Sequence, residues 1–335
     1  MSTPALAIVI PAYKGRWLGE TLASIAAQTV HEGFVVHIGD DASPDDLRAV
    51  CAPFAVQFDL RYTRFDANLG ASDLIAQWQR TAALADAPWL WLFGDDDRMP
   101  PDAVARVLAA IRELPPAAAL LHFDVDVIDA DGAFVRSEPR FDRRLSARAF
   151  LLGRLRLRLA SYAPDYVFRR EALERIGGFV RFPRAWCSDD ATWAALAAVG
   201  AEPGGLHTLP GAPIQWRSSG QNISAVHGAD AADKLQALLQ FVAWLRRFLV
   251  AHPARAGEPD DAALLGAVPD WFFAQLRFLR TPLRPRFRAA VRAALAGLPD
   301  RGLASRLELE WRMLRADLSL ANRRRREREA ARRPA

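Results

Sequence analysis

Cysteine is nearly missing from this sequence: Cys51 and Cys187 are the two in 335 residues. So distant a pair forms neither a disulfide framework nor a metal-binding spacing, and a reducing compartment is expected. Also missing is any run near the ~20 consecutive apolar residues that a membrane-spanning helix requires. The early stretch "LAIVIPAY" has no basic segment before it and is interrupted too soon for a signal peptide, so a cytoplasmic protein is expected. Lysine is scarce, with Lys14 and Lys234 the two among 44 basic residues. That near-replacement by arginine, with abundant alanine, suggests a GC-rich genome and hence a bacterial source. Two phosphate-binding signatures are absent as well. No G-x-G-x-x-G follows the first apolar run and no G-x-x-x-x-G-K-[ST] occurs anywhere, so neither usual glycine-rich phosphate cradle is available.

What is present is a chain that is 51% hydrophobic and 25% charged, enough for a substantial core. Its net charge of +5 is unevenly spread: from Arg301 onward there are 11 arginines against 5 acidic residues, which leaves the first 300 residues at −1. The near-neutral body argues against a nucleic-acid binder. The tail "NRRRREREAARRP" suits peripheral contact with an anionic membrane face, or a solvated helix end.

Along the first half, short apolar runs alternate with amphipathic segments. "LAIVIPAY", "FVVHIGD", "FDLRYTRF", "PWLWLFG" and "ALLHFDVDVID" read as strands, and "DADG" then turns the chain into "AFVR" as a hairpin. Helices are expected at 17–28, after Pro44, at 71–85 and at 101–113. This alternation predicts an α/β doubly wound, mostly parallel sheet that binds ligands beyond its C-terminal strand ends. Segments 230–251, 261–280, 285–296 and 303–330 carry helical periodicity without strand signals. They divide the chain into an α/β domain over 1–228 and a helical C-terminal region over 229–335.

The chemistry gathers at the strand ends. Strand one ends in Pro11-Ala12-Tyr13, strand two in Asp40-Asp41, strand three near Asn68 and Gly70, and strand four in Asp95-Asp96-Asp97. Parallel strands bring these ends to one rim. A nucleoside diphosphate accounts for the combination: Tyr13 stacks on the base, Asp40 or Asp41 accepts from a base N–H, and a divalent cation on the 95–97 carboxylates meets the diphosphate. Mg²⁺ and Mn²⁺ favour carboxylate oxygen and share their coordination with phosphate.

Six stretches then resemble, in order, the family 2 glycosyltransferases of the GT-A fold. They are "IVIPAYKGRWLGETLASIAAQT", "GDDASPDD", "NLGASDLIAQWQR", "LFGDDDRMPPDAV", "VFRREALERIGGF" and "SDDATWAALAAVG", covering roughly residues 5–225. The resemblance implies a nucleotide-sugar donor, a UDP-sugar foremost, with Mn²⁺ or Mg²⁺ and inversion at the anomeric carbon. It implies a glycan or glycolipid acceptor, in polysaccharide or glycolipid assembly. It maps nucleoside contacts to Pro11, Tyr13 and Asp41, with Asp40 beside it, and the metal motif to Asp95, Asp96 and Asp97. The register is open there, because Asp95-x-Asp97 has the spacing while counting back from Pro101 selects Asp96. The catalytic base maps to Asp189, with Asp190 the alternative.

Three departures stand out. Gln77 and Gln79 replace a common asparagine pair, Ser188 replaces an acid before the base, and "IQWRSSGQNIS" lacks a late histidine, which turns Arg217 toward phosphate as a candidate. A sugar nucleotidylyltransferase is the rival enzyme, and "AYKGRWLGE" is a poor loop for it. A GT-A module that binds nucleotide or glycan without turnover is the rival non-enzyme. His122 is expected to be structural. Trp271, Phe272, Phe273 and Phe278, with Arg277 and Arg280, suit either core packing or a membrane-facing patch.

Overall fold

The computed structural model describes residues 4–115, 117–199, 204–220, 222, 230–279 and 285–295, with a few positions between 310 and 325. Strand and helix alternate from the start: β1 (Leu6–Ala12), α1 (Gly15–Ala26), β2 (Phe34–Asp40), α2 (Leu47–Cys51), β3 (Leu60–Arg64), α3 (Leu74–Ala82), β4 (Trp89–Leu92) and α4 (Ala103–Glu113). β5 (Leu120–His122), β6 (Val125–Ile128), β7 (Phe134–Ser137) and β8 (Arg144–Leu145) follow, then α5 (Ala147–Leu155), β9 (Tyr166–Arg169), α6 (Arg170–Arg175) and α7 (Ser188–Ala198). The described chain continues through β10 (Leu206–Thr208), β11 (Ile214–Arg217), α8 (Ala231–Ala251), α9 (Asp261–Leu279) and α10 (Pro285–Leu295).

Among the described residues, eight strands form one sheet in the order β3-β2-β1-β4-β9-β5-β10-β8. β1 to β4 run parallel, β9 enters antiparallel between β4 and β5, and β8 closes the far edge antiparallel to β10. Both faces of the centre are covered, so β2 is buried at every position and β1 at all but Pro11. The pleat divides the strands between two cores. Ala7, Val9, Leu90 and Leu92 face α3, α5 and α7 on one side. Leu6, Ile8, Ile10, Trp89 and Trp91 face α1 and α4 on the other.

The expected fifth strand is two strands in two sheets. β5 stays in the large sheet, while β6 pairs with β7 and β11 in a separate three-stranded sheet. The break falls at Phe123-Asp124. Phe123 donates its backbone N–H to Asp165 and stacks on Trp91 at 4.9 Å, while Asp124 accepts from the Phe141 N–H at 3.0 Å. Those bonds take the chain out of register with its sheet, a tertiary effect no local periodicity encodes. The hairpin after it forms as expected, β6 and β7 running antiparallel. α3 starts at Leu74 rather than 71, because Leu69 and Gly70 turn around Asp41 and Asp73 caps the helix through the Ala76 N–H at 3.0 Å.

Three C-terminal helices match the expected segments. Leu235, Leu238, Phe241 and Leu245 of α8 and Val268, Trp271 and Phe272 of α9 join the same core as α5 and α7. The aromatic segment at 271–273 is therefore core, its side chains at most 7% exposed. The boundary expected at 228 and most of 303–330 lie outside the described residues. No helix among the described residues is long and apolar enough to cross a membrane.

The helix α5, which carries a site residue described below, is capped by Ser146, whose Oγ accepts the Ala149 N–H at 3.1 Å. Ser146→Ala removes that acceptor and should cost about 1 kcal/mol in urea-monitored unfolding.

Candidate active site

The C-terminal ends of β1 and β4 and the loop after β2 open onto one cleft of about 740 Å³, within the size range of small-molecule sites. Pro11, Tyr13, Asp41, Asn68, Gly70 and Asp95 line it, as the strand-end argument requires. Asp96, Asp97, Asp189 and Asp190 line it too, brought from β4 and from the first turn of α7. Two expected residues are not brought there.

Asp40 is fully buried behind the cleft, and its carboxylate is saturated by the Ser43 N–H at 2.8 Å, the Arg64 guanidinium at 2.6 Å and the Tyr62 hydroxyl. Arg217 is likewise fully buried. Its guanidinium donates to the Asp96 carbonyl at 2.8 Å, to Ala130 at 3.0 Å and to Glu20 at 2.7 Å. It locks the aspartate loop from below and does not line the cleft. In both cases partners from other elements hold the charge inside the protein rather than at the cleft.

The remaining groups are held by backbone. Asp41 accepts the Leu69 and Gly70 N–H groups at 2.8 Å each and pairs with Arg80. Gly70 is required by this contact, since a Cβ there would stand 2.7 Å from Asp41 Oδ2. Asn68 closes the same turn by accepting the Ala71 N–H at 3.0 Å. Tyr13 leaves 42% of its surface exposed over the cleft. Gln77 props the end of β2, donating to the Gly39 carbonyl at 2.8 Å.

The three aspartates differ in what holds them. Asp95 Oδ2 accepts the Tyr13 and Lys14 backbone N–H groups at 2.8 Å each, tying β4 to β1. Asp97 Oδ1 accepts the Arg217 N–H at 2.8 Å. Asp96 pairs with the Lys14 ammonium, which also lies 3.5 Å from Asp95 Oδ1. Gly94 leaves the space these carboxylates occupy, for a Cβ there would collide with Asp97. Burial and the neighbouring Asp95 push Asp96 up to about 6, against the pull of Lys14. Burial and Asp96 raise Asp97 well above the usual carboxylate range. Burial opposes the Lys14 charge, but Asp95 and Asp96 outweigh it and its pKa is raised.

The donor set suits a hard divalent cation, being carboxylate oxygen crowded by its own charge. Among the described residues no group of three or more His, Cys, Asp or Glu is arranged to hold an ion alone. Such an ion fits here if a ligand's phosphate oxygens complete its shell, the usual arrangement for Mg²⁺.

At the other carboxylate pair, Arg154 of α5 grips Asp190 with two hydrogen bonds, Nε to Oδ1 at 2.8 Å and Nη2 to Oδ2 at 3.0 Å. Asp190 is 4% exposed, while Asp189 is half-buried and turned into the cleft. Partial enclosure and the Asp190 charge raise Asp189 to about 7, against the pull of Arg154. The chain reaches this pair through a strained approach: Arg184, Ala185 and Cys187 all have left-handed backbone, with φ of 57°, 53° and 62°. Such residues persist only where surroundings over-determine them. Here the Ser188 hydroxyl accepts the Phe182 N–H at 3.0 Å and Thr192 accepts the Val180 N–H at 2.9 Å.

A family model described as glycosyl transferase family 2 matches residues 7–177, just over half of the chain. The chain belongs to glycosyl transferase family 2. This glycosyltransferase is similar in structure to TarS of S. aureus, residues 1–349, in complex with UDP-GlcNAc. The TM-score is 0.59 at 14% identity, covering 95% of this chain and 91% of that one. It is also similar to the mannosyltransferase PcManGT of Pyrobaculum calidifontis in complex with GDP-Man and Mn²⁺, with a TM-score of 0.53 at 18% identity, covering 96% and 87%. At these identities the likeness is one of fold, and the fold is GT-A. No curated protein sequence matches the chain.

Sequence reasoning gave no role to Lys14 or Arg154, both of which line this cleft. Lys14 had a compositional signal, being one of two lysines. Arg154 had none, since its partner lies 36 residues away on another helix.

Proposed function

We propose that the protein transfers a sugar from a nucleotide-sugar donor to a hydroxyl acceptor with inversion, by direct displacement in this cleft. The observation that carries the proposal is that Asp189 and the 95–97 aspartates open onto the same cavity. Pro11, Tyr13, Asp41, Asn68, Gly70 and Asp95 are the nucleotide's neighbours in this reading, and Asp96 is the metal ligand. Asp95 and Asp97 serve backbone N–H groups, which favours Asp96 among the three. A bound Mg²⁺ or Mn²⁺ supplies Lewis-acid stabilisation of the leaving diphosphate.

In the protein's part of the reaction, Asp189 takes the proton of the acceptor hydroxyl as its oxygen forms the bond to the anomeric carbon. The bond from that carbon to the diphosphate breaks, its electron pair leaving with the diphosphate. Asp190, spoken for by Arg154, keeps a negative charge beside Asp189 and so keeps it basic. Unlike a glycosidase pair, the site needs no acid to protonate the leaving oxygen. The acceptor class proposed is a glycan or glycolipid of the bacterial surface, a reading supported by the family and the arginine-rich composition.

The test is thermal unfolding with UDP, GDP, CMP and dTDP, each with and without Mn²⁺, on wild type and Asp96→Asn. A nucleotide at 100 times its Kd should add about 2.7 kcal/mol. We expect one nucleotide to stabilise wild type in a Mn²⁺-dependent way and to lose that dependence in Asp96→Asn. No shift with any nucleotide would reject the donor assignment and favour a GT-A module without turnover.

A further inference from the structure

We propose that Lys14 is the resident counter-ion of the aspartate cluster and makes divalent-metal binding conditional on a nucleoside diphosphate. The proposal deepens the reading of this cleft as a metal and nucleotide site and rests on it. Asp95 and Asp97 each use a carboxylate oxygen to hold backbone N–H groups. Asp96 has the Lys14 ammonium as its side-chain partner instead. The carboxylates of Asp95 and Asp96 are only 8% and 7% exposed, so solvent screens their repulsion poorly and a nearby cation must offset it.

Lys14 is built for that place and for leaving it. Its own backbone N–H is anchored on Asp95 Oδ2, so the root of the side chain is fixed beside the cluster. Its four-carbon stem is flexible, and its ammonium pairs with carboxylate or phosphate as a point charge. The side chain is 24% exposed where the cleft opens, and the Trp17 ring lies 5.6 Å from the ammonium. An arginine would be held by a planar, two-pronged geometry; the chain uses one of its two lysines here.

A divalent cation and the Lys14 ammonium seek the same Asp96 oxygen and repel each other. Without nucleotide, Lys14 therefore opposes cation entry. A diphosphate adds anionic oxygens that take up the ammonium, and Asp96 becomes available. The two ligands then strengthen each other's binding by the same factor, as linkage requires.

The experiment is Mn²⁺ titration, followed by calorimetry and by the loss of the free-ion paramagnetic signal. It uses Mn²⁺ alone and Mn²⁺ with UDP or GDP, on wild type, Lys14→Met and Lys14→Gln. Wild type should bind Mn²⁺ alone about 10-fold or more weakly than with its diphosphate. Either variant should bind Mn²⁺ alone about 10-fold or more tightly than wild type, with a smaller nucleotide effect. Lys14→Gln guards against a packing defect in Lys14→Met, because it keeps a polar tip without the charge. The proposal is overturned if neither folded variant gains Mn²⁺ affinity, or if wild-type affinity ignores both nucleotides. Asp96→Asn separates the two readings. If it binds Mn²⁺ as wild type does, or if no form binds Mn²⁺ or nucleotide, the cleft assignment itself fails.

Discussion

Asp189→Asn should lower kcat by roughly 10²–10⁴-fold, the usual contribution of a positioned general base. Nucleotide binding should persist, because Asp189 sits on α7 while the proposed nucleotide neighbours sit on the β1, β2 and β4 side of the cleft. The pH profile gives the sharper signature. Burial and Asp190 raise Asp189 to about 7, so the carboxylate protonates as pH falls through 7 and the base is lost. Wild-type kcat/KM should therefore rise with pH up to and through about 7, and that limb should vanish from the residual activity of Asp189→Asn.

Stability should move the other way. A carboxyl raised from the ordinary value near about 4 favours the protonated folded state, so folding weakens as pH climbs toward 7. Asp189→Asn removes that penalty and should melt higher than wild type at pH 8. An unchanged acid limb in Asp189→Asn would assign the base elsewhere.

Arg154→Leu is expected to be the most damaging single change to stability around the site, costing about 3–5 kcal/mol. It strands Asp190, 4% exposed, without the two hydrogen bonds that hold its charge. Because the loss is that of an uncompensated buried charge, Arg154→Leu combined with Asp190→Asn should recover a large part of it. Chemical denaturation of the four forms measures the coupling as a double-mutant cycle. The single variant should also shift the acid limb of activity upward, since Arg154 is what opposes the raising of Asp189. A cost below about 1 kcal/mol would mean the pair behaves as a surface ion pair.

Much of this protein was determined locally. Strand and helix alternation is legible because burial on both sheet faces demands apolar runs such as "LAIVIPA" and "FVVHIGD", which are buried almost throughout. The helical C-terminal segments follow from their own periodicity, and α8, α9 and α10 lie within the expected segments. A carboxylate cluster at the end of β4 is likewise a local fact, and the strand and helix alternation implied that parallel strand ends share one rim.

What the tertiary structure alone decided is which polar side chains face that rim. Asp40 and Asp41 are adjacent and chemically identical, yet one is sealed by Tyr62 and Arg64 and the other borders the cleft. Arg217 turned inward because Glu20 and the carbonyls of Asp96 and Ala130 offered a buried guanidinium its partners. The β5–β6 break, the pairing of Arg154 with Asp190 and the lodging of Lys14 on Asp96 share that origin. A buried charge takes the partner that packing brings beside it, and those partners come from strands and helices distant in sequence. Hydrophobic periodicity is written in neighbouring residues; charge compensation is written in the contacts between elements, and only folding brings those elements together.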